Sequence, residues 1–263
     1  MAESVAENKK NQARNVPSEG IFFQGRLHGA LAHRLAVDIL KGNYKPGDIL
    51  PHQIDSVESL NSTRTPYREA IRILAAKGLV ESRPKRGTQV CERSRWNLLD
   101  PEVMGWMFET TPTDAFIKAL FELRLINEPA AAELAAERRT PEQLSQMYAS
   151  LMIMKEETLH TERGRIADLE FHKQLLLGTQ NELLISLNSS IGSAIAWSTK
   201  FKSSDPIGSR DSWPDHLRVY EAVADRDSRA ARFSMEALVR TALEDTRRSQ
   251  GWKTASLSLE AHT

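Results

Sequence analysis

Asp168 and His172 stand four residues apart in DLEFHKQLL, a spacing that brings two side chains to one face of a helix. Together they offer an oxygen and a nitrogen donor to a divalent metal, zinc or similar. The same two groups can instead satisfy each other through an Asp–His hydrogen bond, and spacing alone leaves both readings open. A second set is cationic. Arg64, Arg68 and Arg72 recur every four residues, while Tyr67, Ala70, Ile71 and Leu74 fall on the other side and read as buried. The run continues through Gly78 to the basic turn Arg83-Pro84-Lys85-Arg86-Gly87. An arginine stripe followed by a basic hairpin tip suits an extended polyanion, because each cation can neutralise a phosphate. A solvated charged face is the plainer alternative. The sequence shows no nucleophile motif, phosphate-cradling glycine-rich loop or cofactor fingerprint.

The elements that must position these residues follow from periodicity and punctuation. Leu31, Leu35 and Ile39 predict an amphipathic helix over 27–40, ended by Gly42, Pro46 and Gly47. A short helix is expected at 52–60. The arginine helix comes next, with Thr63 as its cap and Pro66 in its first turn, where no ladder N–H is needed. Strands are expected at 79–83 and 87–91. Three helices and a β-hairpin wing within residues 21–91 make a winged helix-turn-helix. Residues 92–100 connect it to the rest and, with Trp96, Leu98 and Leu99, are too apolar for a free linker. From 101 to 250 the pattern is helical throughout, with helices expected at 101–109, 113–138, 141–158, 162–179, 181–202, 212–225 and 228–250. The fold class is therefore mainly α: a winged helix-turn-helix followed by an all-α bundle. Residues 1–20 and 251–263 read as tails, the first disordered.

Composition supports two units with different partners. Residues 21–95 hold 13 Lys/Arg against 7 Asp/Glu, whereas residues 96–263 hold 19 against 25, although the whole chain is neutral. The basic half is the one suited to phosphate. A single cysteine, Cys91, excludes an intrachain disulfide and a cysteine-rich zinc site. A polar N-terminus and the lack of an apolar run of about 20 residues lead to the expectation of a soluble, cytoplasmic protein with no membrane partner.

The stretches GNYKPGDILP and STRTPYREAIRILAAKGLVESRPKRGTQV resemble the DNA-binding domain of GntR-type transcription regulators. FELRLINEPAAAELAAER and DLEFHKQLL are similar to the FCD effector domain of the FadR subfamily, and RWNLLDPEVMGWMFE resembles the connector of its sugar-acid-responsive members. The resemblance implies a homodimeric regulator, a repressor of a palindromic operator in double-stranded DNA, released by a small carboxylate effector. Position by position, it implies that Arg64 and Arg68 reach a guanine edge and nearby phosphates, and that Thr63 and Thr65 contact phosphate. Arg83, Lys85, Arg86 and Gly87 would form the wing. The preceding helix often carries an arginine where this chain has Ile54. In the helical half the resemblance adds His216 to Asp168 and His172 as metal ligands, but its last histidine falls near Leu238. Three ligands with water or effector oxygens can hold a metal; weakened or lost binding is the other outcome. Arg124 would point into the effector cavity or pair with Glu128, four residues on. Trp197 reads as core and His160 as surface. A metal-dependent enzyme built on Asp168, His172 and His216 is the alternative from another class.

Overall fold

The computed structural model describes residues 27–51, 64–110, 112–203 and 210–249. α1 (Leu27–Leu40) buries Ala32, Leu35, Ala36 and Ile39, the stripe that helical spacing dictates. α2 (Arg64–Ala76) lays Ala70, Ile71 and Leu74 into the same core. It ends in a left-handed turn at Gly78, φ +74°, where the Leu79 N–H reaches back to the Leu74 carbonyl at 3.0 Å. A Cβ at Gly78 would also run into the backbone carbonyl of Arg95, so position 78 requires glycine twice over. β1 (Val80–Arg83) and β2 (Gly87–Val90) pair antiparallel, with Val80 opposite Val90 and Arg83 opposite Gly87. The helix expected at 52–60, with Ile54, and the cap Thr63 lie outside the described residues.

The connector docks, as its apolar content demands. Trp96 is buried, with its Nε1–H on the Cys91 carbonyl at 2.9 Å, and the Asn97 N–H donates to the Lys77 carbonyl at 2.9 Å. Leu99 departs from that expectation and is 43% exposed. Asp100 then caps α3 (Pro101–Glu109) by accepting the N–H groups of Glu102 and Val103. Val103 and Trp106 of α3 belong to the first core and Met104 to the second, so one short helix is shared by both.

The helical half begins with α4 (Asp114–Arg138), α5 (Pro141–Glu157) and α6 (Glu162–Gly178), each opened by a threonine whose hydroxyl accepts a first-turn N–H. Pro129 sits inside α4 without ending it. The single helix expected over 181–202 is instead two, α7 (Glu182–Ser186) and α8 (Asn188–Ser203). The break has a local cause. The Leu187 N–H tightens back onto the Leu184 carbonyl at 3.1 Å, and the Ser186 hydroxyl takes the Leu183 carbonyl at 2.7 Å. α9 (Trp213–Ala224) and α10 (Ser228–Ser249) complete the bundle, with Phe121, Met147, Phe171, Val219 and Met235 fully buried at its centre. No helix among the described residues is long and apolar enough to cross a membrane.

Candidate effector and metal site

Four helices converge on one buried cluster. α6 supplies Asp168 and His172, α9 supplies His216, α4 supplies Arg124 and Glu128, and α8 supplies Ser198 and Thr199; all seven are buried. The two imidazoles are held alike from behind. His172 Nδ1 lies 3.0 Å from Glu128 Oε2, and His216 Nδ1 lies 2.8 Å from the Ser212 carbonyl oxygen. A carbonyl accepts only, so the His216 proton sits on Nδ1, and an ionised Glu128 does the same for His172. In the neutral imidazoles each Nε2 is then a bare lone pair on the Asp168 side. His216 Nε2 stands 3.0 Å from Asp168 Oδ1 yet makes no aligned hydrogen bond, and His172 Nε2 stands 3.8 Å away. Lone pairs of two nitrogens and an oxygen gathered within 4.8 Å, out of water, can hold a cation between them. The Asp–His hydrogen bond within α6 is not formed at 3.8 Å. The donor set of two imidazoles and one carboxylate fits a borderline divalent ion.

Both buried carboxylates are kept ionised. Burial alone would raise the pKa of Asp168, but His216 and His172, when protonated, and the Thr199 hydroxyl at 2.9 Å outweigh it and hold it well below the usual range. Burial likewise works against ionised Glu128, and Arg124, joined by His172 when protonated, more than offsets it, leaving a pKa of about 2. Arg124, 2% exposed, donates from Nε to Glu128 Oε1 at 2.5 Å and from Nη1 to Ser198 Oγ at 3.0 Å. Arg124 thus pairs with Glu128 and also lines a cavity. That cavity is also lined by Asp168, His172, His216, Ser198 and Arg210. Leu238, near which the resemblance expects a further histidine, lines the cavity with hydrocarbon. Trp197 lies in the second core, stacked on Phe108 at 4.7 Å, and His160 is exposed.

The cationic residues are spread over the first half. Thr65 and Arg68 are exposed on the first turns of α2, and Arg64 begins that helix. Arg72 is engaged by Glu69 at 2.6 Å, which takes it out of the stripe's free charge. Arg83, Lys85 and Arg86 are exposed around the hairpin tip, where Lys85 and Gly87 take φ of 64° and 86°. Arg83 is paired with Glu81 at 2.6 Å.

Residues 27–90 match the model for bacterial regulatory proteins of the gntR family, and residues 119–241 match the FCD domain. An HTH-type transcriptional regulator of Escherichia coli, YieP, is 35% identical over 85% of this chain and 97% of its own. This chain belongs to the GntR family of transcription regulators. It joins a winged helix-turn-helix to a helical FCD domain, the arrangement of FadR-like members, and is a DNA-binding regulator. The galactonate operon transcriptional repressor of E. coli is 32% identical to this GntR-type regulator, over 75% of this chain and 86% of its own. Among solved structures, that of Lar, which controls expression of the Listeria monocytogenes agr system, shares the fold. Its TM-score is 0.60 at 19% identity, covering 85% of this chain and 98% of that one.

Sequence reasoning missed several residues of the regulator's site. Ser198 and Thr199 carried a signal, a polar pair inside the apolar run AIAWSTKF. Arg210, at the cavity wall and paired with Asp215, carried none. Lys77 was also missed. It is 8% exposed, with Nζ 2.8 Å from Asp100 and 2.6 Å from Glu102 of α3. Burial alone would lower its pKa, but those two acids reverse the sign and raise it.

Proposed function

We propose that this regulator is a cytoplasmic homodimer that represses transcription from a palindromic operator and leaves it when a small carboxylate, a sugar acid, enters the FCD cavity. The observation that carries the reading is one buried cavity presenting both a guanidinium, Arg124, and a gathered N/N/O donor set, Asp168, His172 and His216. A divalent ion held there would supply positive charge and open coordination positions for the acid's oxygens. Arg124 suits the carboxylate through the bidentate geometry of its fork. The similarity to a galactonate operon repressor supports an aldonate as the acid. The relatives are transcription regulators, and the metal-dependent enzyme alternative gains no support from them.

On the DNA side we assign base and phosphate contact to Arg64, Arg68, Thr63 and Thr65, and wing contact to Arg83, Lys85, Arg86 and Gly87. A route for the signal is built into the packing. α8 lines the cavity and, through Trp197 on Phe108, touches α3; α3 holds Lys77 just past the end of α2. An acid that favours a shifted α8 would bias where α2 sits, and it can do so only by binding the two arrangements unequally.

Gel shifts on an operator fragment test the reading. Arg68→Ala should weaken specific binding by about 1–3 kcal/mol and relax the preference at one base pair; unchanged affinity and preference would overturn the assignment. Galactonate with Zn2+ should release the wild-type complex, and persistence of the complex with any aldonate would remove the sugar-acid reading. Light scattering should give twice the mass of one chain, since two half-sites call for two-fold symmetry. A monomer bound to the full operator would exclude it.

A further inference from the structure

Glu128 touches both halves of the cavity chemistry at once. One oxygen takes the Arg124 Nε–H at 2.5 Å, and the other lies 3.4 Å from Arg124 Nη2 and 3.0 Å from His172 Nδ1. At 3% exposure it has no competing water shell. Resting on the metal and acid reading above, we infer that Glu128 is the positioning residue that couples cation binding to acid binding.

The argument has two parts, geometry and charge. An ionised carboxylate accepts and cannot donate, so Glu128 fixes the His172 proton on Nδ1 and leaves Nε2 bare for a metal. By taking the Nε side of Arg124, it also sets which edge of the guanidinium faces the cavity. Nη1 spends one N–H on Ser198. Of the five N–H groups of a guanidinium, one on Nη1 and one on Nη2 are left without a partner among the described residues, and the pair suits one carboxylate. With both imidazoles neutral, Arg124, Glu128 and Asp168 together carry one excess negative charge. A divalent ion reverses that to one excess positive charge. The cluster therefore attracts the cation first and, once loaded, a monocarboxylate, with Glu128 orienting a partner for each. By linkage, each ligand tightens the other.

Glu128→Gln separates this role from simple packing. Glutamine keeps the shape, and its oxygen can still accept from Arg124, but its amide then presents N–H to His172 Nδ1. His172 must accept there and carry its proton on Nε2, which blocks the metal-facing lone pair. Calorimetric titration with Zn2+ should show affinity weakened about 10–100-fold, the range for loss of a partner behind a metal-binding histidine. The increase in galactonate affinity that Zn2+ produces in the wild type should be lost with it. Nitrogen-15 NMR of the metal-free proteins should report the Nδ1–H tautomer of His172 in the wild type and Nε2–H in the variant. Wild-type Zn2+ affinity in Glu128→Gln would overturn the inference. So would an Nε2–H tautomer in the wild type, a measurement that needs no variant to fold. A wild-type protein that takes up no Zn2+ would instead overturn the metal reading, while its tautomer still decides what Glu128 does to His172.

Discussion

Zn2+ added to the Asp168→Asn variant is expected to produce no thermal stabilisation, whereas the wild type should gain several degrees at saturating ion. Removing a ligand should cost more than the about 10–100-fold that follows loss of a partner behind one. The variant is chosen so that the fold survives. The asparagine side chain can still accept the Thr199 hydroxyl hydrogen, and the volume is unchanged. Asp168 is held ionised by favourable contacts, accepting from the Thr199 hydroxyl and lying 3.0 Å from His216 Nε2, so the metal-free variant should be somewhat less stable than the metal-free wild type. The deficit should grow when ion is added. A variant destabilised with and without ion to the same degree would show that Asp168 is structural, and equal Zn2+ shifts in both proteins would remove it from the site.

Gly78→Ala should be the most damaging small substitution in the DNA-binding half. Alanine at φ +74° carries a left-handed penalty, and its Cβ meets the Arg95 carbonyl, which belongs to the backbone and cannot rotate away. Together these should reduce stability by about 3 kcal/mol or more, in the range reserved for strained or overpacked positions. Urea unfolding followed by the fluorescence of Trp96 and Trp106, both in the first core, would read it. The same change at Gly42, also left-handed at φ +81° but with nothing near its Cβ, should show only the backbone penalty. A Gly78→Ala midpoint no lower than that of Gly42→Ala would refute the clash. Operator affinity should fall with Gly78→Ala, because the same residue sets the exit of α2.

The features that the chain revealed were the ones written locally. The arginine stripe and the hairpin with its basic tip each depend on residues within about one or two turns of one another. So does Arg124 with Glu128 at i,i+4, whose pairing was visible while its reach to His172 was not. The metal-donor set was half legible: Asp168 and His172 lie on one helix, but His216 arrives from α9 and came only through the family resemblance. Ser198 reaches Arg124 across 74 positions, and Arg210 reaches Asp245 from a loop. No periodicity records such meetings, because they depend on how helices pack. The break at Leu187 was missed for the opposite reason. Apolar spacing runs smoothly through it, and what marks the end of α7 is the Ser186 hydroxyl on the Leu183 carbonyl beside the tightened turn at Leu187.

The double allegiance of α3 bears on how this protein can be divided. Val103 and Trp106 complete the first core, and Lys77 is held by Asp100 and Glu102 at the helix start. A fragment cut at the end of the wing would lose Trp96, uncover the core that it seals, and strand Lys77 without its acids. One ending after Glu109 would carry that core whole, though it would bare Met104. Grafting this DNA-reading half onto another sensor is therefore a matter of carrying α3 along and rebuilding the surface it offers to α8. The join that suits exchange lies beyond the helix, not in the stretch of chain before it.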